Sequence, residues 1–141
     1  MSREKSGTRN YHWNVVGPQF NDLHTFFEAQ YNALNTVVDD VAERARALDG
    51  NAIGTLAEFV ERARLTEHPG QYPPAREMLT NLLADHETVI RQLRIDLETR
   101  ANTYQDAGTN AFLTGLMERV LPASQLDIPD VIRGTRLPSR T

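Results

Sequence analysis

An all-α fold is predicted, from two long runs of apolar residues spaced by three and four, a shorter run of the same kind, and Gly/Pro punctuation between them. The first run is Phe20, Leu23, Phe27, Tyr31, Leu34, Val38, Val41, Ala45 and Leu48. It opens after Gly17-Pro18 and closes at Asp49-Gly50, where glycine can supply a left-handed cap. The spacing predicts an amphipathic helix of about 30 residues, on the order of 45 Å long at 1.5 Å per residue. A shorter helical piece is expected from Thr55 to Arg64, ended by His68-Pro69-Gly70 and Pro73-Pro74. From Pro74, tolerated in a first turn, the second long stripe comprises Met78, Leu79, Leu82, Leu83, His86, Val89, Ile90, Leu93 and Leu97, ending near Ala101. A third segment begins at Asp106-Ala107-Gly108-Thr109 and carries Ala111, Phe112, Leu116 and Met117.

The pattern stops at both ends. Residues 1–10 have no apolar stripe and are expected to be irregular; residues 120–141 hold three prolines and one glycine and are expected to be irregular and mildly basic. The predicted domain is thus 11–119.

The 141 residues suit one domain, and the absence of cysteine excludes disulfides, thiolate metal sites and thiol nucleophiles. Any metal must be held by histidine, carboxylate or both. No apolar run reaches the roughly 20 residues of a membrane span and no signal-like stretch follows the polar start, so a cytoplasmic location, with association with the nucleoid as an extension, is the expectation. The net charge of −4 is uneven: residues 1–10 and 119–141 are each +2, leaving about −8 on residues 11–118. An acidic body suits cations, and basic ends can touch phosphate weakly, although solvated tails are the plainer reading.

Chemistry concentrates on the first long helix. His24 and Glu28 are four apart, as are Asp39 and Glu43, so each pair shares a face. At 100° per residue Glu28, Asp39 and Glu43 lie about 40°, 60° and 100° round from His24, on one stripe. Upstream, Tyr11-His12-Trp13-Asn14 adds a second histidine. Histidine with carboxylate is a ligand set for non-haem iron, with zinc or manganese as competitors. Spacing alone leaves a solvated acidic face as the commoner alternative, and His12 beside an aromatic is more often packed or capping than a ligand. If a metal is held, one chain cannot complete the site: Glu28 and Asp39 are about 16 Å apart along a straight helix. Two copies of this helix crossing antiparallel about a two-fold axis would bring the His24–Glu28 end of one against the Asp39–Glu43 end of the other, making two equivalent sites.

The run His12-Trp13-Asn14-Val15-Val16-Gly17-Pro18-Gln19-Phe20, then Leu23-His24, Phe27-Glu28 and Asp39-Asp40-Val41-Ala42-Glu43-Arg44, resembles the signature of the Dps family of ferritin-like proteins. Tyr72-Pro73, Leu83-Ala84-Asp85-His86-Glu87 and Asp106-Ala107-Gly108-Thr109 are also similar, in the same order. The resemblance implies a ferritin-like four-helix bundle with a short helix in the central crossover. It also implies ferroxidase activity with hydrogen peroxide or dioxygen as oxidant, ferric iron storage in a homo-oligomer, by resemblance a dodecamer, and protection of DNA. His12, His24 and Glu28 would be ligands from one subunit and Asp39 and Glu43 from its mate. Position 28 is often aspartate in the family and is glutamate here. Trp13 would flank the site or fill the core; His86 reads as a satisfied core or interface histidine, and His68 as an exposed loop residue.

The ends depart from that pattern. The first helix would be largely missing and the last shortened, which suggests truncation, an altered frame or an unusual variant. An isolated monomer is then expected to be marginal, with His12 a loosely held ligand and metal occupancy partial. Two rivals follow: a nucleoid-compacting protein binding DNA nonspecifically through Arg133, Arg136 and Arg140, and a ferritin-like remnant that does not assemble.

Overall fold

The computed structural model describes the backbone of residues 2–103 and 106–122, and side-chain surroundings over 7–99 and 106–119. Among the described residues five helices follow one another: α1 Ser2–Asn14, α2 Phe20–Ala47, α3 Leu56–Arg62, α4 Ala75–Thr103 and α5 Ala107–Pro122. No strand occurs among the described residues, as the periodicities require. The chain divides into two compact units, Met1–Met78 and Leu79–Thr141.

In the first unit α1 packs against α2. Its existence corrects the expectation of an irregular start: Ser2–Asn14 is a helix of 13 residues, less than half the length of α2. The stripe was invisible to an apolar scan because two of its members are polar. Thr8, His12 and Val15, at spacings of four and three, are all buried, at 1%, 7% and 1% exposure. Tyr11 is half-buried on the same helix and meets Phe27 of α2 at 5.9 Å between ring centroids. Phe27 is fully buried and meets Phe26 at 5.6 Å.

Along α2 the buried residues are Leu23, Phe26, Phe27, Leu34 and Val37. The ends of the predicted stripe do not join them: Phe20, Val41 and Leu48 are exposed. The turn into α2 needs Gly17, whose φ of 118° lies in the region that penalises a Cβ. At the other end the left-handed residue is Asp49, at φ 60°, and not the glycine after it. Gly50 serves close approach: its N–H donates to the Ala45 carbonyl at 2.9 Å, and a Cβ there would sit 3.2 Å from that oxygen.

Helix α3 starts at a capping box. Thr55 Oγ1 accepts from the Glu58 N–H at 3.3 Å, while Glu58 Oε2 accepts from the Thr55 N–H at 2.9 Å and the Gly54 N–H at 3.1 Å. Those bonds, from Thr55 first, hold the Glu58 carboxyl below its ordinary range. None of α3 is buried, and Leu56 and Val60 stand largely exposed.

In the second unit Leu79, Leu82, His86 and Ile90 of α4 are buried at helical spacing. His86 is satisfied as expected: Nδ1–H donates to the Leu82 carbonyl at 2.9 Å. His68 lies exposed in the α3–α4 loop. Asp106 caps α5, accepting from the Thr109 N–H at 3.0 Å and from its hydroxyl. Helix α5 runs to Pro122, three residues past the expected end. Residues 123–141, including Arg133, Arg136 and Arg140, lie outside the described residues. Among those described, no helix is long and apolar enough to cross a membrane.

Candidate metal-binding half-site on α1 and α2

His12 comes from the last turn of α1 and His24 from the second turn of α2, brought together by the Gly17 turn. Their rings stack, with centroids 3.7 Å apart and planes inclined by 24°. Each imidazole also bonds the other residue's backbone: Nδ1 of His12 lies 2.8 Å from the His24 carbonyl, and Nδ1 of His24 lies 2.8 Å from the His12 carbonyl. A carbonyl oxygen only accepts, so both Nδ1 atoms carry the proton. In each neutral ring the lone pair is then on Nε2, the arrangement in which a histidine can ligate a metal.

The pairing also serves the helix. The His12 carbonyl is among the last four of α1, which have no partner inside it, and the His24 imidazole supplies one. Asn14 adds Nδ2 bonds back to the Asn10 carbonyl at 2.9 Å and to its side-chain oxygen at 2.8 Å. His12 is therefore firmly held. The expectation of a loosely held His12 fails because a short helix is present and its end is tied to α2 through the two histidines themselves.

Around the pair stands a column of rings. Phe20 stacks on His24 at 5.0 Å, and Tyr31 meets His12 edge-on at 5.3 Å and 71°. The Arg9 guanidinium lies 4.7 Å from the Tyr31 ring centroid and 6.0 Å from that of Trp13. Trp13, 68% exposed, does not fill the core of its own chain. Arg9 and Tyr31 escaped the sequence reading, Arg9 counted as tail charge and Tyr31 as apolar stripe. The available signal was Tyr31's position seven residues after His24, two turns along the same face.

The carboxylates are placed differently. Glu28, one turn beyond His24, is exposed, as are Asp39 and Glu43 farther along α2. Among the described residues of this one chain, no three His, Asp or Glu side chains are grouped to hold a metal ion. The structure thus brings the two histidines together and leaves the three carboxylates on open surface.

The profile of the ferritin-like domain matches residues 8–120. A low temperature-induced protein of Nostoc sp. strain PCC 7120 is 48% identical over 111 residues, covering 79% of this chain and 62% of that protein. The chain thus spans under two thirds of that relative's length. DNA protection during starvation protein 2 of Bacillus anthracis is 33% identical over 107 residues, covering 76% of this chain and 72% of its own. The crystal structure of Dps from Staphylococcus aureus superposes with a TM-score of 0.83 at 30% identity, over 92% of this chain and 85% of that one. A domain match over most of the chain, with Dps relatives alike in sequence and in fold, means that this chain belongs to the Dps family of ferritin-like proteins.

Proposed function

We propose that this protein oxidises ferrous iron at centres shared between two copies of the chain and stores the ferric product, so protecting DNA. The observation that carries the proposal is the reciprocal histidine lock. It presents two imidazoles with Nδ1 protonated and Nε2 free, next to an exposed glutamate on the following turn. Neutral nitrogen donors with carboxylates suit ferrous iron, and carboxylate oxygen suits the harder ferric product. His12, His24 and Glu28 would come from one subunit; Asp39 and Glu43, on the same exposed stripe but out of reach within a chain, from the other.

The reaction is a two-electron reduction of peroxide. Each of two ferrous ions gives up one electron, the O–O bond breaks, and the oxygens leave as water after taking up protons. Hydrolysis of the ferric ions to an oxyhydroxide then releases protons, which exposed carboxylates on α2 can pass to solvent. Removing ferrous iron and peroxide together withholds the reagents of hydroxyl radical formation, which fits relatives known as DNA protection during starvation proteins. Zinc and manganese are expected to compete for the same donors.

The test mixes a His24→Ala chain with an Asp39→Ala chain and follows anaerobic ferrous titration, then ferric absorbance on adding peroxide. Each variant alone loses tight binding. In a mixed dimer one site carries both lesions and the other none, so about one working site per heterodimer is expected. No recovery in mixed dimers shown to form overturns the shared-site assignment.

A further inference from the structure

We propose that Tyr31, steadied by the Arg9 guanidinium, is the positioning residue that aims the His12 imidazole at the metal; this rests on the iron-oxidation reading above. The bond from His12 Nδ1 to the His24 carbonyl, with the covalent anchor at Cβ, holds the ring at two places and leaves a pivot about the line joining them. Stacking on His24 covers one side of the imidazole. Tyr31 supplies the remaining constraint, meeting His12 at 5.3 Å and 71°, so that a pivot moving Nε2 drives the imidazole into the tyrosine ring. His24 needs no such residue, because it lies between two stacked neighbours, His12 at 3.7 Å and Phe20 at 5.0 Å.

Tyr31 is itself only half-buried, so packing alone does not fix its ring. Arg9, one turn before His12 on α1, lies over that ring at 4.7 Å and draws its π face toward the cation. The column Arg9, Tyr31, His12, His24, Phe20 therefore alternates between the two helices, apart from the last pair, and ties ligand orientation to the α1–α2 packing. The tyrosine hydroxyl plays no part in this account. The aromatic ring does the work, and phenylalanine can replace it.

The test uses the full chain in its assembled form and Co2+ as a redox-inert probe. Tyr31→Leu is expected to weaken Co2+ binding on the order of tenfold, the usual effect of losing a residue that orients a ligand, while Tyr31→Phe stays within about twofold. In the metal-free protein the 15N-resolved His12 ring signal, a single Nδ1–H tautomer in the parent chain, should become a mixture in Tyr31→Leu and remain single in Tyr31→Phe. Parent-like Co2+ affinity and an unchanged His12 signal in Tyr31→Leu, while His24→Ala loses Co2+, overturn the positioning role and leave the metal site standing. Unchanged Co2+ affinity in His24→Ala as well overturns the site reading beneath it. Should Tyr31→Leu fail to fold, Arg9→Met, which leaves both rings in place, decides by the same two measurements. An affinity loss of about threefold with a mixed His12 signal supports the proposal, and parent-like behaviour refutes it.

Discussion

The reciprocal lock between His12 and His24 makes a quantitative prediction that separates its two kinds of contact. Each imidazole donates to a backbone carbonyl, so His12→Ala removes one hydrogen bond and leaves the other acceptor, the His12 carbonyl, in place for His24. His24→Ala does the converse. The stacked ring contact at 3.7 Å is different, because either substitution destroys it. Each single variant therefore loses one hydrogen bond, worth about 1 kcal/mol, the shared stack, worth about 0.5–1.5 kcal/mol, and its own ring's burial. The double variant loses both bonds but the stack only once. It should be less destabilised than the sum of the singles by the stacking energy, about 1 kcal/mol.

The assay is a double-mutant cycle by urea unfolding, with chelator present and all four proteins at one fixed protomer concentration, since association of an oligomer would make midpoints concentration-dependent. The metal-free state matters, because a bound ion would couple the two histidines for another reason. Additivity to within about 0.3 kcal/mol would refute ring stacking as an energetic contact. A coupling well above about 1.5 kcal/mol would mean that each carbonyl acceptor moves when the other imidazole is lost, so that the hydrogen bonds are not independent.

Three further outcomes are expected. Glu58 accepts its capping bonds as a carboxylate with a lowered pKa, so the cap's contribution is present above about pH 4.5 and lost as pH falls through the lower folded value. The protection of the Gly54 and Thr55 amides against hydrogen exchange, taken relative to their intrinsic rates at each pH, should fall in that window in the parent chain, and constant protection would argue against the cap. Phe27→Ala, which empties a fully buried ring site between α1 and α2, should cost about 3–5 kcal/mol in urea unfolding, and a loss below about 1 kcal/mol would mean that the helices are not packed as described. Replacing Arg133, Arg136 and Arg140 with glutamine should leave iron oxidation unchanged and weaken DNA retention most at low salt; a fall in oxidation rate would tie that segment to the catalytic region.

The long helices were legible because their buried faces are apolar. Leu23, Phe27 and Leu34 of α2, and Leu79, Leu82, His86 and Ile90 of α4, lie on the stripes that spacing predicts. Phe20, Val41 and Leu48 fit the same periodicity and are exposed, since periodicity marks a face and not how far along it a neighbour extends. The candidate ligands were legible as residue types at spacings that share a face. Their orientation was not, because the bonds that set it run to backbone carbonyls twelve residues away, where any residue type offers the same acceptor. Tyr31 and Arg9 were missed for a related reason: nothing in an apolar count distinguishes a ring that fills space from one that confines a neighbour.

Helix α1 explains why both omissions belong together. Its mean composition is polar, and a 13-residue helix of that kind is marginal in isolation, since nucleation costs more than so few backbone bonds return. Its stability must come from contacts with α2. Tyr11 supplies an apolar part against Phe27, and His12 supplies the polar part through its ring and its carbonyl. The ordering of His12 that metal binding would otherwise have to impose, at about 1–2 kcal/mol per residue, is therefore met when α1 docks. Folding the short helix and orienting the two histidines are one event, and the polar residues that make α1 hard to see in the sequence are those that make the histidine pair rigid.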